Sequence, residues 1–314
     1  MIMTLRLCST SLLMMKTKIN HIPVLLDEVT ESLNINPSGI YIDGTLGGGG
    51  HSRAILSKLS SKGRLIAIDQ DEDAINNSTI CSPIFTPIHD NFNNIKSILK
   101  EFDIKSIDGM LLDLGVSSYQ IDTAMRGFSY TKDGPLDMRM NKNNELTADI
   151  IINTYTQREL TNLFFTYGEE KHSRRIAKNI CTEREKKPIK TTMELVNIIK
   201  NMQSAMRVFM ALRIKVNNEL SPLEQTIKDV VNMLEPSGRL SIITFHSLED
   251  RIVKKTFREL AAPCSCPRDL PVCVCNKTPL VNIITKKPIV PTEDEIKTNP
   301  RASSAKLRVC SKRS

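Results

Sequence analysis

Five short, mostly apolar runs punctuate this chain, and helical periodicity separates them. They are Ile40-Tyr41-Ile42, Leu65 to Ile68, Ile84 to His89, Ile107 to Leu114 and Arg239 to Phe245. Runs this short and this apolar suit central strands of a parallel sheet, buried on both faces. Strand and helix alternate as far as residue 116, with one helix expected over Ser52 to Leu59. That predicts right-handed crossovers in an open, doubly wound α/β sheet. From about 145 to 235 the apolar positions recur at helical spacing instead, so the sheet is expected to be interrupted between its fourth and fifth strands. A last β-type pair is expected near Val281–Thr285 and Ala305–Cys310. The predicted division is a sheet domain of residues 21–117 and 215–314, a helical insertion of 118–214, and a disordered extension of 1–20.

Between the first strand and its helix the chain reads Asp43-Gly-Thr-Leu-Gly-Gly-Gly-Gly-His51, with five glycines within seven residues. Glycine has no Cβ and tolerates φ > 0, so a ligand can lie against bare backbone N–H groups at the helix N-terminus. Dinucleotides and S-adenosylmethionine (SAM) both use such a turn. Gly44 and Gly47 to Gly50 do not fit G-x-G-x-x-G, and His51-Ser52 stands where a phosphate loop needs Lys-Ser/Thr.

The strand tips add chemistry. Asp69 closes the second strand, at a distance from the glycine turn that suits a ribose-binding acid. The alternative is a cap for the helix starting near Asp71. Phe92 follows the third strand and can stack on an adenine, or serve as a core residue. Asp113 ends the fourth strand, where open α/β sheets bind ligands. It can hold the cofactor or accept a hydrogen bond from an amine being methylated. Asp137, in Gly134-Pro-Leu-Asp-Met-Arg139, is a second acceptor candidate, with Arg139 able to hold a phosphate; a loop salt bridge is the competing reading. His246 follows the fifth strand on the same rim, with Ser247 expected to cap the next helix.

Together these segments resemble the ribosomal small subunit methyltransferase H family. The runs that carry the resemblance are His21 to Glu28, Tyr41 to Arg53, Asp108 to Ser118, Arg126 to Ser129 and Asp133 to Arg139. They continue with Tyr167 to Glu170, Arg174 to Ala177, Ala211 to Ile214, Phe245 to Arg251 and Asn299 to Arg308, over roughly residues 20–312. The resemblance implies a Rossmann-like class I SAM-dependent methyltransferase sheet with an inserted helical substrate-recognition domain. It implies methylation of the N4 amine of a decoding-centre cytidine in 16S rRNA. By position it makes Gly49, Gly50, His51, Asp69, Phe92, Asp113 and Gln120 the cofactor residues. Asp113, Asp137 and His246 remain the catalytic candidates. The chain departs from the family at Tyr119, where Pro is usual, and at Met210, Lys215 and Asn218, where Gln, Glu and Asp are common. The stretch Asn201 to Arg207 is also shorter than usual. The changes near 200–218 are expected to alter a local surface and not the cofactor site.

A net charge of +8 favours a polyanionic partner. Aromatic residues make up only 4% and Trp is absent, so RNA contact should lean on Arg and Lys more than on stacking. Arg174, Arg175, Lys186, Lys187 and Lys190 are candidates for the RNA backbone, with a solvated face as the alternative. Asp113-Leu-Gly-Val lacks the Asn/Asp-Pro-Pro-aromatic motif usual in DNA amino methyltransferases, so DNA is not the expected substrate. No apolar run approaches a membrane span, and a cytoplasmic location is expected. Eight cysteines include Cys264-x-Cys266 and Cys273-x-Cys275. That spacing is a poor match to zinc sites, so the thiols are read as structural and no metal is expected. Three matters stay open: turnover against SAM binding alone in ribosome assembly, free rRNA against an assembled subunit, and monomer against homodimer.

Overall fold

The computed structural model describes residues 22–264, 266, 275 and 277–314. The expected disordered extension at 1–20 and Cys273 lie outside them. Seven strands form one sheet: β1 Ile40–Asp43, β2 Arg64–Asp69, β3 Phe85–His89, β4 Ile107–Asp113, β5 Leu234–Thr244, β6 Val281–Ile283 and β7 Lys306–Lys312. Their order is β3-β2-β1-β4-β5-β7-β6. The pairings β3–β2, β2–β1, β1–β4 and β4–β5 are all parallel, whereas β7 runs antiparallel to both β5 and β6. The chain winds outward from β1 to β3, then returns to place β4 on the other side of β1. That reversal opens a crevice at the C-terminal ends of β1 and β4, where Asp43 and Asp113 stand.

Alternate residues of each strand point to opposite faces. Ile42, Ile66, Met110 and Ile242 bury against the helices Ile95–Glu101, Leu223–Met233 and Ser247–Ala261. Tyr41, Leu65, Leu111 and Ile243 bury on the other face with Val29, Leu33 and Ile55 of the helices Leu26–Leu33 and Gly50–Lys58. A separate core lies between β4 and β5 in sequence. Phe164, Ile176, Ile180, Leu195, Val208 and Leu212 fill it, from four of the five helices Ala148–Thr154, Gln157–Thr166, Ser173–Lys186, Thr192–Ile199 and Met202–Asn217. Side chains of this size each contribute about 1.5–3 kcal/mol on burial, so this helical unit has a core of its own. The expected boundary at 214 falls inside the helix Met202–Asn217.

Two elements differ from expectation. The helix after the glycine turn begins at Gly50, two residues before Ser52, because Gly49 takes the left-handed cap conformation (φ 74°). β5 begins at Leu234 and not at Arg239. Pro236-Ser237-Gly238 reads as a turn, but the register with β4 shifts between Ile107 and Gly109, and that irregularity, with Ser237 at φ 68°, carries the strand through.

Candidate active site

The glycine turn is held from three sides. Leu46 N–H donates to Ile68 O (2.9 Å), Gly49 N–H to Leu46 O (2.7 Å) and Gly44 N–H to Leu111 O (2.9 Å). Gly50 has a packing role: a Cβ there would lie 2.1 Å from Pro23 Cγ. Asp43 anchors the base of the turn, accepting from Ser52 Oγ (2.6 Å) and Thr45 N (3.1 Å). Burial pushes its carboxyl above the usual range, against those hydrogen bonds.

Asp69 faces the turn from the end of β2. Its Oδ2 accepts from Gly47 N (2.8 Å) and its Oδ1 from Asp71 N (2.8 Å). Asp71, not Asp69, caps the helix Glu72–Asn77. A carboxylate has about four acceptor positions, so Asp69 retains capacity for a ligand's hydroxyls. Burial is the main cause that raises its pKa, to about 6.

Asp113 closes β4 with its N–H donated to Thr45 Oγ1 (2.7 Å). Its Oδ2 lies 3.6 Å from His51 Nδ1, and its Oδ1 is buried with no hydrogen-bond partner. Burial pushes this carboxyl to about 6, while the His51 ring opposes the rise. A buried carboxylate oxygen without a donor is costly, and Oδ1 has capacity to accept a further hydrogen bond on this crevice.

One cavity of about 630 Å³ collects these groups: Gly50, His51, Asp69, Phe92, Asp113 and Gln120 all line it. Gly49 shapes the turn and is not among the lining residues. Gln120 contributes mainly as a brace, since its Oε1 accepts from Ser117 N (3.0 Å) and its Nε2 donates to Asp71 Oδ2 (2.7 Å). Tyr119 is the second residue of the short helix Ser118–Asp122, capped by Ser117. Proline is tolerated in a first helical turn, so Tyr in its place is compatible with the same path.

A family model, the MraW methylase family, matches residues 18–313. The chain belongs to the MraW methylase family. A ribosomal RNA small subunit methyltransferase H of Clostridium botulinum (strain Loch Maree / Type A3) is 54% identical over 304 residues, covering 93% of this chain and 98% of that protein. A protein of the same name from Halothermothrix orenii is 52% identical over the same shares. Among solved structures, an rRNA methylase from Streptococcus thermophilus aligns over 92% of this chain and 94% of its own, at 12% identity and a TM-score of 0.39.

Two catalytic candidates of this MraW methylase stand apart from the cavity. Asp137 does not line it. Arg139 grips the Asp137 carboxylate with Nε and Nη2, each at 2.8 Å, and spends Nη1 on the Lys142 and Asn144 carbonyls. Burial tends to raise the Asp137 pKa, but the Arg139 contacts bring it below the usual range. Both ends of that pair are engaged mainly within the loop, so the pair fits the salt-bridge reading. His246 does not line the cavity either. It is itself the cap of the helix Ser247–Ala261, in place of Ser247, with Nδ1 accepting from Glu249 N (3.4 Å).

The neighbour of His246 is the residue that sequence reasoning missed. Glu249 lines the cavity, accepts from Phe245 N (2.8 Å) and His246 N (3.2 Å), and has Oε1 3.0 Å from His246 Nε2. Burial alone would raise its pKa; His246 and then Arg213 more than offset this and hold it low. Arg213 and Glu219 complete this wall as a bidentate pair (3.0 and 2.9 Å). Asn217 clips the loop before the helical unit, accepting from Met140 N (2.7 Å) and donating to Met138 O (2.8 Å). The expectation that departures near 200–218 lie away from the cofactor site is corrected, because Met206 and Asn218 line the same cavity. Asn218 is a helix C-cap at φ 49°, a left-handed position that Asn tolerates well.

Proposed function

We propose that this protein methylates the exocyclic N4 amine of one cytidine in 16S ribosomal RNA, acting in the cytoplasm on the small subunit. S-adenosylmethionine is the methyl donor. When bound, it supplies a methyl group on a positively charged sulfur. The residues fit such a ligand: Asp69 has acceptor capacity for ribose hydroxyls, Phe92 offers an aromatic face, and Gly47, Gly48 and Gly50 line the cavity.

Asp113 Oδ1 is the observation that carries the reading. The lone pair of a cytosine N4 amine is delocalised into its ring. An acceptor that draws one N–H out of the ring plane returns electron density to the nitrogen. We assign that role to Asp113, which lines the same cavity as Asp69 and Phe92, and positioning supplies most of the remaining rate. Glu249, held ionised by His246 and Arg213, adds negative charge to the cavity wall and would favour a bound cationic sulfonium.

The helical unit is the part we assign to RNA recognition. Arg174 and Arg175 are exposed, with no ion pair among the described residues, and suit phosphate contact. Lys186, Lys187 and Lys190 are instead paired with Glu183, Glu194 and Asp149. Among the described residues no helix is long and apolar enough to cross a membrane. The test is transfer of label from SAM to three acceptors: small ribosomal subunits, naked rRNA and DNA. Label on rRNA in either of the first two is expected, and label on DNA alone would overturn the reading.

A further inference from the structure

The cysteines that the catalytic site leaves unused converge elsewhere. The Sγ atoms of Cys264, Cys266 and Cys275 all lie within 4.8 Å of one another. A tetrahedral zinc ion with Zn–S bonds of about 2.3 Å sets its sulfurs about 3.8 Å apart, so three thiolates at this separation are close to ligand geometry. Cys264 is exposed and Cys266 and Cys275 half-buried, so hydrophobic burial does not explain why residues up to eleven positions apart gather here.

The surrounding chain supplies a reason for a staple. The three cysteines fall in sequence between the helix Ser247–Ala261 and Leu280, whose N–H donates to Leu260 O (2.8 Å). The sequence of residues 262–279 carries Pro263, Pro267, Pro271 and Pro279 and few large apolar residues. A stretch this long and this poor in core-forming side chains is stabilised well by a cross-link. A bound metal ion supplies one, because its binding free energy becomes folding free energy of the segment it closes.

We propose that Cys264, Cys266 and Cys275 bind a zinc ion that cross-links the chain between the end of the helix Ser247–Ala261 and the residues before β6. Zinc(II) is chosen over harder cations because all three donors are sulfur, and over copper(II) because zinc accepts a tetrahedral sulfur set without redox change. Each thiol releases its proton on binding. Three thiolates leave one tetrahedral position for a fourth donor. The site is structural and distant in chemistry from methyl transfer, so it does not depend on the function proposed above.

The test uses the full-length chain, purified without chelator from zinc-supplemented cells. Elemental analysis is expected to find about one zinc per chain, released on titration with a mercurial thiol reagent. Cobalt(II) added to the reduced, metal-stripped chain is expected to give a thiolate-to-metal charge-transfer band. Cys264→Ser, Cys266→Ser and Cys275→Ser should each weaken zinc binding at least about 10-fold, while Cys81→Ser leaves it unchanged. SAM binding reports whether each variant is folded, and the cobalt titration of the unaltered chain stands even if a variant is not. Absence of zinc together with absence of the cobalt band would overturn the proposal. So would iron with inorganic sulfide in place of zinc, alkylation mass shifts showing a disulfide among the three cysteines, or zinc retained in a folded triple variant.

Discussion

His51 presents Nδ1 to Asp113 Oδ2 at 3.6 Å while its Nε2 is fixed 2.9 Å from the Val24 carbonyl. A carbonyl only accepts, so Nε2 carries a proton and Nδ1 is the ring nitrogen that faces Asp113. The His51 ring favours the ionised form of Asp113, against burial, which pushes that carboxyl up to about 6. His51→Ala removes this support, so the Asp113 pKa should rise further. The acidic limb of the kcat–pH profile is then expected to move to higher pH, with kcat at neutral pH falling about 10-fold. An unmoved limb would separate the two residues functionally.

Asp113→Asn keeps the shape and removes the charge of the unpartnered oxygen. We expect kcat to drop by roughly 10²–10³, the range for removal of one preorganised electrostatic group. Retained turnover with a raised KM for SAM alone would make Asp113 a cofactor residue only.

Asp69→Ala should weaken SAM binding by roughly 10–100-fold, as expected for lost hydrogen bonds to a charged acceptor. Isothermal calorimetry reads this directly, and an unchanged Kd would reject the ribose role.

The same carboxylate gives a pH dependence with a definite sign. In the ligand-free protein Asp69 holds its proton up to about pH 6. Ribose hydroxyls donate to the ionised form, so binding releases a proton below that pH. Affinity for SAM should therefore be constant above about pH 6 and fall as pH drops through it, with proton release visible as a buffer-dependent binding enthalpy. In Asp69→Asn the dependence should flatten at lower affinity.

Asp137→Asn tests the loop pair. The folded-state pKa of Asp137 is depressed, so its contribution to stability is present above the ordinary carboxylate pKa and is lost as pH falls through the folded value. At neutral pH the variant should lose roughly 1 kcal/mol, because the partly exposed pair is screened by solvent. Its kcat, per folded molecule, should stay within about 3-fold of the parent; a loss as large as that of Asp113→Asn would restore Asp137 to the catalytic set.

Asp69 and Asp113 were legible in the sequence because each ends an apolar run and so must emerge at the crevice. The glycine turn was legible because backbone exposure leaves a compositional trace. Glu249, Arg213 and Glu219 were not, since their wall is assembled from a helix cap, a helix interior and a loop that only tertiary packing brings together. Asp137 and His246 could not be placed relative to the cavity from sequence for a related reason. An Asp-x-Arg pair satisfied within its own loop has the same sequence as one facing a ligand. A His before Ser-Leu-Glu-Asp gives no sign that the imidazole, not the hydroxyl, makes the cap.

The most direct measurement is mass mapping of the small-subunit rRNA after incubation with the purified protein and SAM. One methyl group on the exocyclic N4 of a single cytidine, absent when Asp113→Asn replaces the parent, is the expected result. A methyl on a ring carbon, on a ribose 2′-hydroxyl or on another base would contradict an acceptor mechanism built on Asp113.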